Sequence, residues 1–139
     1  MKVFIADESI SFRSILSNSL KDLAGAEIVG HTEDCNEAIF GIMKSQPDIV
    51  IVNIRLKGGT GMDVLDRIVK TRNASPIAIM MTNYPYNQNQ RMQLSHGAEY
   101  FLHKATQYGE IISLVKNLGA AKSARSDGWL QADARMCYN

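Results

Sequence analysis

The chain has 139 residues, 45% hydrophobic and 21% charged, with a formal net charge of +1 from 15 basic and 14 acidic side chains. That length suits one domain with a sizeable core, and the near-neutral balance excludes the strong positive field of a nucleic-acid-binding surface. The longest apolar runs, IVIV and IAIMM, fall far short of the roughly 20 residues a bilayer-spanning helix needs. The opening MKVFIADES turns acidic by position 7 and lacks the long apolar run of a secretory signal, so a cytoplasmic protein is expected.

Along the chain, KVFIA (2–6) reads as a buried first strand. Residues 9–24 place Phe12, Ile15, Leu16 and Leu20 at helical spacing, with Ser9 or Ser11 to cap the start and Gly25 to stop it. EIVGHT (27–32) is a second strand that Gly30 interrupts. Thr32 or Asp34 caps a helix over 34–45 carrying Ala38, Ile39, Ile42 and Met43, and Pro47 prevents its continuation. DIVIVN (48–53), apolar almost throughout, reads as a central strand buried on both faces.

RLKGGTG (55–61) reads as a loop before a helix over 61–72 with Met62, Val64, Leu65 and Ile68. PIAIMMT (76–82) is the fourth strand, and NYPYNQNQ (83–90) leads into a helix ending near His96, with Gly97 as its stop. EYFLHK (99–104) is the fifth strand, and residues 106–118 a last helix bearing Tyr108, Ile111, Ile112, Leu114, Val115 and Leu118. Five strands alternating with five helices predict a three-layer parallel α/β unit over residues 1–120. Residues 121–139 are expected to be a helix extension or a disordered tail, in which Trp129-Leu130 could dock on this chain or on a partner.

Cys35 and Cys137 are far apart and outside any CxxC pair, so free thiols are expected. His31 and Cys35 lie four apart, but two ligands fall short of a structural zinc site. KGGTG (57–61) lacks the GxxxxGK[ST] pattern of a phosphate-cradling loop, and its glycines are expected to supply a tight turn.

A different set of residues points to chemistry. Asp7-Glu8 closes the first strand, Asn53 the third, Thr82 the fourth, and Lys104 follows the fifth. In a parallel sheet all of these ends emerge on one edge, so the polar groups should meet in one crevice. Two carboxylates, a hydroxyl and an ammonium there suit a divalent cation and a phosphoryl group.

With VFIADESISFRSIL, PDIVIVNIRLKGGTGMDVL, PIAIMMTNYPY and GAEYFLHK at these spacings, residues 2–118 resemble the receiver domain of two-component response regulators. The resemblance implies a flavodoxin-like doubly wound fold with strand order 2-1-3-4-5, and phosphoryl transfer from a partner histidine kinase to an aspartate. It implies Mg2+ held by Asp7 and Glu8, a phosphoryl-binding hydroxyl on Thr82, a pairing ammonium on Lys104, and a switch aromatic at Phe101. It also implies a signalling and homodimerisation surface on the fourth helix, fifth strand and fifth helix, where Tyr84, Tyr86, Tyr100, Phe101 and Tyr108 cluster. Tyr100 and Phe101 alternate along their strand, so at most one of them is expected to face the core.

The chain departs from that pattern in three places. Asn53 stands at the phosphoacceptor aspartate, Lys57 at a following proline, and Ala105 at a proline that follows the lysine. An amide oxygen is far less nucleophilic than a carboxylate, so Asn53 is not expected to form an acyl phosphate. Mg2+ binding by Asp7, Glu8 and Asn53 is expected to be weakened, because a neutral amide contributes less than a carboxylate to a hard cation. The Asn53 NH2 group could bond Asp7 or Glu8, leaving a site satisfied without metal.

The expected function is therefore that of a phosphorylation-independent receiver, acting on a sensor kinase or downstream target by protein–protein contact, with no nucleic-acid or membrane partner. An Asp→Asn change introduced to block an ordinary receiver would leave the same sequence. A small-ligand module for a nucleotide or flavin is a third reading. An enzyme is not expected, since no nucleophile lies beside a base.

Overall fold

The computed structural model describes residues 1–71, 76–95 and 97–126. The elements run β1 (Lys2–Ala6), α1 (Ile10–Lys21), β2 (Glu27–Thr32), α2 (Cys35–Ser45), β3 (Ile49–Asn53), β4 (Arg55–Leu56), β5 (Gly59–Thr60), α3 (Gly61–Thr71), β6 (Ile77–Thr82), α4 (Gln88–Leu94), β7 (Tyr100–His103) and α5 (Tyr108–Ser126). Five strands form one parallel sheet in the order β2-β1-β3-β6-β7, the 2-1-3-4-5 order expected, since β4 and β5 pair only with each other.

Alternation along the strands builds a core on each face. Phe4, Ala6, Val50, Val52 and Met80 point to the face covered by α2 and α3, where Ala38, Ile42, Val64, Leu65 and Ile68 meet them. Ile5, Ile51, Ile79, Met81 and Leu102 point to the other face, under Leu16 and Leu20 of α1 and Ile111, Val115 and Leu118 of α5. Each fully buried aliphatic chain contributes about 1.5–3 kcal/mol, so β3, buried at every residue, anchors the sheet.

The helix boundaries follow local chemistry. Ser9 accepts the Phe12 N–H at 3.2 Å, and Asp34 accepts the Glu37 N–H at 2.9 Å. Asn87 and Gln90 form a reciprocal capping box that starts α4. Two differences from expectation have physical reasons. Arg13, not Ile15, shares the inward stripe of α1 with Leu16 and Leu20, and Ile15 is exposed. Residues 55–60 form a small antiparallel pair with Gly58 at φ +75°, where only a tight turn was expected. The last helix itself runs past Gly119 to Ser126, and the AAKSAR after that glycine is rich in strong helix formers.

Gly30 has a packing reason. A Cβ on Gly30 would lie 2.6 Å from Phe4 Cε2, and one on Gly41 2.7 Å from the same atom. The two glycines make the slot that holds the Phe4 ring between β2 and α2. Tyr100 and Phe101 were expected to place at most one ring in the core. Both are half-buried, each against a different core, because helices cover both faces of β7. Cys35 is a buried free thiol whose pKa is raised, first by burial and then by the Asp63 carboxylate. Cys137, His96 and Trp129-Leu130 lie outside the described residues.

Candidate functional site

The polar rim sits at the carboxyl ends of the sheet strands. Asp7 extends β1 through its N–H, which donates to the Thr32 carbonyl at 3.0 Å, and Lys104 extends β7 by donating to the Thr82 carbonyl at 2.8 Å. Strand alternation sends Asp7, Asn53 and Lys104 to the face of Ile5, Ile51 and Leu102. Thr82 has the other parity and shares its face with Met80 and Phe101. Asp7 is completely buried, and Asn53, Thr82 and Lys104 are 7%, 4% and 7% exposed.

An ion pair crosses this edge. Lys104 Nζ reaches Asp7 Oδ2 at 2.7 Å, linking the end of β7 to the end of β1, two strands beyond its neighbour in the sheet. Its path passes over the end of β3, where Asn53 stands. The Phe12 ring lies 4.2 Å from Nζ as a cation–π partner. Tyr108 packs edge-on against Phe12, and its hydroxyl lies 2.7 Å from Ser19 Oγ and 3.2 Å from the Ile15 carbonyl, fixing the ring.

Asp7 Oδ1 accepts the Ser9 N–H at 2.8 Å, and Arg13 Nη1 donates to the Asp7 carbonyl at 2.6 Å. The sequence reading missed Phe12 and Arg13. A cation at the spacing of Leu16 and Leu20, on the apolar stripe of α1, was the available signal for Arg13.

Asn53 differs from expectation in its partner. Its Nδ2 donates to the Arg55 carbonyl at 2.8 Å, not to Asp7 or Glu8. A short amide side chain bonds most readily to backbone two residues on, where the chain turns out of β3. Glu8 is exposed, whereas Asp7 is sealed in the rim. Thr82 Oγ1 accepts the Tyr84 N–H at 3.0 Å, ordering the turn after β6.

Beside Thr82 a groove of about 370 Å³ is lined by Tyr84, Tyr86, Arg91, Phe101 and His103. The Arg91 guanidinium stacks 5.4 Å from the Phe101 ring centre and donates to the Phe101 carbonyl.

The loop glycines hold the strand end in place. Gly61 donates its N–H to the Ile54 carbonyl at 2.8 Å, and a Cβ there would lie 2.5 Å from the Asn53 carbonyl oxygen and 2.8 Å from Val52 Cγ1. Gly61→Ala is expected to lose about 1–3 kcal/mol, because backbone rather than a flexible side chain must give way. An unchanged urea midpoint would show that α3 can slide to admit the methyl. Lys57 uses what a proline lacks: its N–H donates to the Glu33 carbonyl at 2.9 Å, and its ammonium pairs with the Glu33 carboxylate at 3.0 Å.

A doubly wound parallel sheet whose carboxyl edge gathers an acid, an amide, a hydroxyl and a lysine defines a receiver-type α/β module. The chain belongs to the response regulator receiver domain family, whose sequence profile matches residues 3–116. It is 26% identical over 127 residues to the DNA-binding transcriptional activator DevR/DosR of Mycobacterium tuberculosis, covering 88% of this chain and 56% of that one. It is 27% identical over 82 residues to a protein-glutamate methylesterase/protein-glutamine glutaminase of Desulfotalea psychrophila, covering 59% of this chain and 22% of that one. The chain therefore spans little more than half, or less, of the curated relatives it matches. Among solved structures, the receiver domain of Francisella response regulator 1452 shares the fold with a TM-score of 0.75 and 21% identity, covering 87% and 98% of the two chains.

Receiver domains are signalling modules that interact with sensor kinases and output domains, and they typically bind Mg2+ at the phosphorylation site. The donor set here does not fit that ion. Both Asp7 oxygens have donors, one of them an ammonium, and Asn53 offers only the neutral oxygen of an amide whose NH2 group is bonded to the Arg55 carbonyl. Among the described residues no three His, Cys, Asp or Glu side chains gather closely enough to hold a metal, and no helix is long and apolar enough to cross a membrane.

Proposed function

We propose that this chain is a phosphorylation-independent receiver of two-component signalling, acting in the cytoplasm by protein–protein contact rather than as an enzyme. The observation that carries this reading is Asn53: a buried amide at the end of the central strand, beside Asp7 and under the reach of Lys104, with its NH2 group committed to the Arg55 carbonyl. An acyl phosphate needs a carboxylate oxygen as nucleophile, and the amide oxygen shares its electron pair with nitrogen. Asn53 takes the acceptor's position in this reading, with Thr82 and Lys104 as the phosphoryl-site remnants and Phe101 as the switch aromatic.

The output surface is α4, β7 and α5. The groove beside Thr82 supports it, because it joins the rim to the exposed Tyr84 and the half-buried Tyr86 and Phe101. A sensor kinase, a downstream target or a second copy of the chain would meet the domain there.

The test is incubation with labelled acetyl phosphate and MgCl2. The parent chain is expected to stay unlabelled and the Asn53→Asp variant to take up label. Acid-stable or acid-labile phosphate on the parent chain would overturn the reading.

A further inference from the structure

The rim holds more buried positive charge than negative. Asp7 is its one buried carboxylate, since Glu8 is exposed and Asn53 is neutral. Against it stand Lys104 and Arg13, each 7% exposed. Arg13 reaches the Asp7 carbonyl through Nη1, while its buried Nε has no hydrogen-bond partner. A dication brought to Asp7 would have to displace an ammonium from a 2.7 Å contact and then face a second cation on the same residue.

We propose that Lys104 is a built-in counter-ion that takes the place of a divalent cation at this rim, so that the domain keeps one arrangement whether or not Mg2+ is present. The ammonium is held from both sides, by the Asp7 carboxylate at 2.7 Å and the Phe12 ring at 4.2 Å. Tyr108 immobilises that ring, which ties α5 into the same arrangement. A mobile ion is thereby replaced by a covalently attached one, whose local concentration no chelator changes. The proposal deepens the phosphorylation-independent reading and rests on it only in taking this rim as the receiver's metal site.

The test compares thermal midpoints in EDTA and in MgCl2 at matched ionic strength. For the parent chain the two midpoints are expected to agree within about 1 °C, because a ligand that binds neither state shifts nothing. Lys104→Met frees the Asp7 oxygen, and its lowered midpoint is expected to rise by about 3 °C or more in MgCl2. A parent midpoint that climbs with MgCl2 overturns the proposal, and so does a folded Lys104→Met protein indifferent to it.

Should that variant not fold, trace Mn2+ added to the parent chain reads the same point by NMR. The amide signals of Asp7, Ser9, Asn53, Arg55 and Lys104 are expected to keep their intensity, and selective broadening of that set overturns the proposal. These readouts are independent of phosphate labelling. A parent chain that takes up phosphate sinks the functional reading, whereas one that binds Mg2+ without being labelled sinks only this proposal.

Discussion

An Asp7→Asn protein is expected to unfold about 3–5 kcal/mol more easily than the parent, the usual cost of stripping one partner from a buried ion pair. Asp7 is fully buried, and its carboxylate faces Lys104 at 2.7 Å while Arg13 grips its carbonyl. The amide keeps the size and can still accept the Ser9 N–H, so the loss isolates charge from shape. Two cations would then be buried together without a counter-charge. Urea denaturation followed by circular dichroism measures this directly. A loss below about 1 kcal/mol, the value of an exposed pair, would mean that Lys104 swings to solvent at no cost. A double-mutant cycle with Lys104→Met should recover much of the loss, since removing both charges leaves less to compensate.

Phe4→Ala is expected to cost a further sort of stability, about 3–5 kcal/mol, by emptying the slot between Gly30 and Gly41. Gly41→Ala alone should lose about 1–3 kcal/mol, because its methyl would meet Phe4 Cε2 and Cζ at 2.7 and 2.8 Å. In the Phe4→Ala background the same methyl falls into vacated space and lies in a helix, where alanine is favoured over glycine by about 1 kcal/mol. Gly41→Ala should therefore turn from harmful to helpful, and that reversal of sign is the result to look for in paired urea curves. Simple additivity would mean that the ring moves aside freely.

The sheet was legible because its signal is local. Runs such as IVIV and IAIMM can be buried on both faces only in a central strand, and the polar residue ending each run marks the carboxyl edge. What the residues could not reveal was direction. Asp7 and Glu8 are one pair in the sequence, yet one is sealed and the other exposed, because neighbouring side chains at a strand end diverge. Asn53 was legible as an amide at the rim but not in its bond to Arg55, which depends on how the chain leaves β3. The two-residue strands β4 and β5 fall below any periodic pattern. Phe12 read as an ordinary apolar residue, and only the fold brings Lys104, ninety-two positions later, onto its ring.

The outer margin of β7 has one more consequence. Three of its backbone groups are already claimed: Arg91 takes the Phe101 carbonyl, while the Gln107 side chain receives the His103 N–H and the Gln107 backbone N–H goes to the His103 carbonyl. An extended peptide seeking to zip onto that margin would first have to displace these partners. Continuing the pleat on this flank therefore carries a cost that docking onto its knobs and hollows does not.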